Sequence, residues 1–96
     1  MKAIADLLRN MDEELADARK YADLAICPKL DEQLMETYVS LGKEELNHFN
    51  RLYDQANRIC VSEEGPTKVA SEVCSYMLER QLNEYSEIKI LLDSIK

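Results

Sequence analysis

The chain's single histidine, His48, closes the run Glu45-Leu46-Asn47-His48. Residues three apart share a helix face, so this spacing sets a carboxylate beside an imidazole. A second carboxylate, Glu14, interrupts an otherwise apolar row of Leu7, Met11, Ala18, Tyr21 and Ala25. Taking a carboxylate out of water is costly unless it is paired or coordinated. Two carboxylates and one neutral imidazole suit a first-row transition metal such as iron or manganese. A carboxylate in such a set bridges two ions while the imidazole caps one of them.

Those groups must be positioned by helices, and the sequence divides cleanly into three. Pro28 pushes Cys27 out of helical geometry, and Asp31 or the Pro28 turn starts a second helix. Gly65-Pro66 stops the second helix near Val61 and opens a third. The pattern predicts helices over 3–26, 31–61 and 67–94 within one all-α domain spanning 1–96. The first carries an a/d stripe of Ile4, Leu8, Met11, Leu15, Ala18, Ala22 and Ala25, the signature of packing against near-parallel neighbours. The second steps through Leu34, Tyr38, Leu41, Glu45, His48 and Leu52, which places Glu45 and His48 at core positions, and Phe49, Tyr53, Ala56 and Ile59 widen the stripe further along. The third has a row of Ala70, Cys74, Met77, Gln81, Glu84, Ile88, Leu91 and Ile95, with an apolar row through Leu78, Leu82, Tyr85 and Leu92 beside it. Gly42, one turn before Glu45, allows close helix approach. Residues 14 and 45 are equidistant from the Pro28–Asp31 turn, so an antiparallel hairpin puts Glu14 and Glu45 at one level, with His48 a turn along.

The segment Glu14-Leu15-Ala16-Asp17-Ala18-Arg19-Lys20-Tyr21, followed by Glu45-Leu46-Asn47-His48, resembles the first helix pair of ferritin-like di-iron proteins, especially the rubrerythrin type. The likeness covers about residues 3–60. It implies a ferritin-like antiparallel hairpin with a third helix added, in which Glu14 and His48 are terminal metal ligands and Glu45 bridges. The implied cofactor is di-iron, with manganese or zinc as substitutes, and the implied chemistry is Fe(II) oxidation by oxygen or peroxide. Ferritin-like chains draw two half-sites from four helices, whereas this chain has one Glu-x-x-His. Glu79, Gln81 and Glu84 on the third helix do not complete the pattern. Encapsulated ferritins, in which hairpins from two subunits meet across a two-fold axis, provide the remedy. A homodimer or higher oligomer, the commonest closed assembly being two-fold, would supply four carboxylates and two histidines. Storage would need a partner shell.

Bulk properties narrow the field. The formal net charge is −7, which disfavours nucleic acid and anionic membrane surfaces as partners. No apolar run approaches the length of a membrane helix. Asp6 and Arg9 break any signal-like stretch at the N-terminus, so a cytoplasmic protein is expected. Cys27, Cys60 and Cys74 contain no CxxC pair and read as buried, reduced thiols. A contrasting reading treats Glu45 and His48 as an edge polar pair partnering Arg51 or a lysine, and Glu14 as a solvated flank. Tyr21 and Tyr38 then serve as core aromatics, and Gln81 and Glu84 as interface polar groups. The protein would be a metal-free oligomeric helical scaffold or protein-interaction module carrying a degenerate site.

Overall fold

A computed structural model describes residues 2–60 and 68–95. Three helices account for nearly all of them: α1 (Lys2–Ala25), α2 (Glu32–Cys60) and α3 (Lys68–Ser94). The end of α1, the start of α2 and the end of α3 fall within one residue of the sequence-based expectation. Val61 and the Gly65-Pro66 stop lie outside the described residues. No described helix is long and apolar enough to cross a membrane.

The first connection shows how α2 is started. The α1 ladder ends as the Ile26 N–H bonds to the Ala22 carbonyl at 3.2 Å and the Cys27 N–H to the Leu24 carbonyl at 3.3 Å. Pro28 cannot continue that ladder. Lys29 then takes a left-handed conformation, φ 63°, which turns the chain back. Asp31 caps α2, its Oδ2 accepting from the Leu34 N–H at 3.0 Å while its carbonyl accepts from the Met35 N–H at 2.8 Å. Such a cap contributes about 1 kcal/mol.

The helices run up, down and up in a rod of 51 × 17 × 15 Å. Tyr21 of α1 stacks on Tyr38 of α2 with ring centroids 6.2 Å apart, which fixes the antiparallel register of the hairpin. Along α3, Gln81 bonds to α1 at Leu8 and Asp12, and Tyr85 bonds to Asn50 of α2. Leu92 lies over Gly42, and Arg19 reaches Glu87 at 3.2 Å. Thus α3 is parallel to α1, antiparallel to α2, and covers one side of the hairpin.

All seven residues of the expected α1 stripe are buried. The α2 stripe requires correction. Its buried residues are Gly42, Leu46, Phe49, Ala56 and Cys60, one helical column away from the main expected row; of the residues expected to widen it, Phe49 and Ala56 are buried and Tyr53 and Ile59 half-buried. Leu34 is exposed, Tyr38, Leu41, Glu45 and Leu52 are half-buried, and His48 is exposed. The reason is that α2 has two neighbours. It turns Gly42, Leu46 and Phe49 between α1 and α3, leaving the expected row along the hairpin's open flank. A Cβ on Gly42 would meet the Leu92 methyl carbons at 3.0 and 3.1 Å, so the small residue lets α3 close down there. Gln81 is the one polar side chain in this described core, 1% exposed.

The cysteines also depart from expectation. Cys60 and Cys74 form a disulfide, and Cys27 is exposed rather than buried. The end of α2 and the second turn of α3 lie side by side, with the Cα atoms of Cys60 and Cys74 6.7 Å apart. Cys27 follows the last turn of α1 and has no packing partner to cover it.

Candidate metal centre

The open flank of the α1–α2 hairpin brings together the three groups that the sequence singled out. Glu14 comes from the middle of α1, Glu45 and His48 from the middle of α2. Ligand atoms of all three lie within 4.8 Å of one another. His48 Nδ1 stands 3.5 Å from Glu14 Oε2 and 3.9 Å from Glu45 Oε1. The carboxylates are 26% and 21% exposed, the imidazole 51%. The group is therefore a cluster in the wall of the hairpin, half sheltered and open on one side, and not a core site. A cleft of about 530 Å³ runs from Glu14 and His48 along Arg51, Leu52, Asp54 and Gln55.

The electrostatics follow from crowding two carboxyls. Glu45 is pushed up from 4.5 to about 7, first by its hydrogen bond with the Glu14 carboxyl. Desolvation and the Glu14 charge act in the same direction, Asp17 adds to them, and His48 opposes them. Two like charges this close favour holding a proton between them. Glu14 Oε2 is itself buried without a hydrogen-bond partner. That oxygen stands 3.5 Å from His48 Nδ1 and has lone pairs free to take a donor or a cation. The donor set thus fits a divalent first-row ion.

The proton affinity of Glu45 has a consequence for stability. The folded chain holds this proton up to about pH 7, whereas the unfolded chain loses it near 4.5. The contribution is therefore complete below pH 4.5 and is lost as pH rises through 7. In the presence of a chelator, the urea midpoint of the wild type should fall from pH 5 to pH 8 more than that of Glu45→Gln. Parallel pH profiles for the two proteins would remove Glu45 as the source.

Residues elsewhere do not join the cluster. Gln81 Nε2 donates to the Leu8 carbonyl at 3.1 Å and to Asp12 Oδ1 at 2.8 Å, fixing α3 on α1. Glu84 is half-buried and Glu79 exposed, and neither joins the Glu14–Glu45–His48 group. Tyr21 and Tyr38, one heptad from Glu14 and Glu45 respectively, stack on the same flank. Sequence reasoning named Arg51 only as a partner for Glu45 or His48, and it missed Asp54 and Gln55 in the cleft's lining. Their signal was the run of polar residues one turn beyond His48, which by itself reads as solvated surface.

The chain matches no family model, no curated protein and no solved structure.

Proposed function

We propose that this protein is a ferritin-like, rubrerythrin-type metal-binding protein whose di-iron site is completed by a second copy of the chain. The observation that carries this reading is the convergence of Glu14, Glu45 and His48, with Glu14 Oε2 buried and unpaired. Glu14 and His48 would hold an ion terminally and Glu45 would bridge to the next. One chain supplies two carboxylates and one imidazole, and a two-fold pair supplies four and two, the ferritin-like complement.

The flank around the site supports a second copy. Leu7, Tyr21, Tyr38, Leu41 and Leu52 line it, each only half-buried, and Leu34 is exposed. Helical spacing puts these residues in one strip with the three ligands at its centre. Such a strip is left by a hairpin that packs against another hairpin.

When bound, a di-iron centre supplies two electrons for reduction of oxygen or peroxide as Fe(II) becomes Fe(III). The chain's own part is to offer ionised carboxylates and a neutral imidazole. Glu45 must release its proton for this, so metal uptake should strengthen as pH rises through 7. Leu52 borders Glu14 and His48 with apolar surface, and the cleft beside Arg51 and Asp54 leaves a route from solvent.

A second reading draws on the same carboxyl pair. Glu14 and Glu45 sharing a proton are satisfied without a metal, so the cluster could be a polar seam in a metal-free oligomeric scaffold or interaction module. Anaerobic Fe(II) loading, followed by elemental analysis across a size-exclusion peak of known mass, separates the two. About one iron per chain in an even-numbered oligomer is expected. A folded oligomer that retains no metal would sink the di-iron reading and favour the scaffold.

A further inference from the structure

Helix α3 is fastened unevenly. Its C-terminal half has several polar ties to the hairpin. The Asn50 amide donates to the Tyr85 hydroxyl at 3.0 Å, Arg19 pairs with Glu87 at 3.2 Å and Lys43 with Asp93 at 3.7 Å. Leu92 is seated over Gly42. Gln81 anchors the middle, and Arg80 stands 3.9 Å from Asp12 beside it. Between Glu72 and Glu79 the described residues show no side-chain hydrogen bond or ion pair to the hairpin. Val73 and Tyr76 are 53% and 68% exposed there. The covalent tie in this stretch is Cys60–Cys74, whose two residues are buried at the edge of the core with Ile4 and Leu8. Next to it a largely apolar groove of about 410 Å³ opens between α1 and α3, lined by Ile4, Leu8, Cys74 and Met77 among others.

We propose that the Cys60–Cys74 bond is a reversible thiol latch, which holds the first turns of α3 against α1 when formed and lets them lift from the Ile4–Leu8 groove when reduced. The bond tethers the end of α2 to the second turn of α3 across a sequence separation of 14, and such a closure restricts the opened state. The rest of α3 keeps its own attachments, so opening is local. A dithiol reductant drives the release. One of its thiolates attacks a chain sulfur and breaks the S–S bond, giving a mixed disulfide, which its second thiol resolves. The reductant leaves as a disulfide, and Cys60 and Cys74 gain two electrons and two protons. Peroxide reverses the change. It takes two electrons from the two thiols, the S–S bond forms, the O–O bond breaks, and two waters carry away the thiol protons.

Hydrogen exchange of the full chain, followed by mass spectrometry before and after treatment with dithiothreitol, tests the latch. Thiol alkylation run in parallel should label Cys27 alone before reduction and all three cysteines after it. Exchange in 72–80 and 3–9 should rise at least tenfold on reduction, while 14–24 and 38–52 stay unchanged. One equivalent of hydrogen peroxide should restore protection. The Cys60→Ser/Cys74→Ser variant should show the reduced pattern with or without dithiothreitol. A uniform rise across all three helices would make the bond a general staple and overturn the proposal. So would an absence of any rise, or alkylation of all three cysteines in the untreated protein.

Discussion

Phe49→Ala should lower the stability of the bundle by about 3–5 kcal/mol, the range for deleting a fully buried aromatic side chain. Phe49 is completely buried. Its ring stacks on Tyr85 of α3 at a centroid distance of 5.4 Å and on Tyr53 at 6.1 Å. The cavity would open where α1, α2 and α3 meet, and the Asn50–Tyr85 hydrogen bond would lose the ring that orients it. A domain of this size has only about 5–14 kcal/mol to lose, and each kcal/mol moves its melting temperature by about 4–8 °C. Thermal unfolding followed by circular dichroism should show a drop of at least about 12 °C. A shift of one or two degrees would mean that Phe49 does not join the three helices.

Removing ligands should do the opposite, with a large effect on metal and a small one on fold. Glu14→Gln combined with His48→Ala is expected to weaken Fe(II) binding by at least about 100-fold, since even indirect support for a ligand is worth about 10–100-fold. The melting temperature of the apoprotein should stay within a few degrees, because neither side chain is fully buried. Anaerobic titration against a colorimetric chelator reads the affinity. If the double variant took up iron like the wild type, the metal would have to sit elsewhere and the assignment of Glu14 and His48 would fail.

The sequence revealed the helices and the meeting of the three ligands, and it misplaced the depth of the site. The α1 stripe was legible because α1 presents one continuous row of apolar residues, Ile4 to Ala25, to both neighbours. The level of Glu14 with Glu45 was legible because a short turn constrains an antiparallel pair. On α2 the same method took the wrong column as the main row and set Phe49 and Ala56, which belong to the core, only at its edge. That helix has two apolar rows, and the true core row runs through Gly42 and Ala56, whose small side chains carry little hydrophobic signal. Only the approach of Leu92 shows why a glycine belongs in the centre. Glu45 and His48 therefore looked buried in the sequence and lie at a half-open flank in the fold. The Cys60–Cys74 bond was illegible for a related reason: pairing depends on how the connection returns, which spacing alone does not specify.

The left-handed Lys29 and the Asp31 cap acquire a meaning for how such a chain could vary. They define where α2 begins, and two heptads separate Asp31 from Glu45. One residue inserted in that stretch would rotate everything beyond it by about 100° and lift it by about 1.5 Å. Glu45 and His48 would then swing away from Glu14, although no ligand had been altered. A whole heptad would disturb their phase by only about 20°, yet it would carry them about 10.5 Å along the axis from Glu14 unless α1 gained the same length. The hairpin thus works as a ruler whose zero mark is the turn, and a length change in α2 keeps Glu14, Glu45 and His48 together only when it returns the same face and α1 gains an equal length.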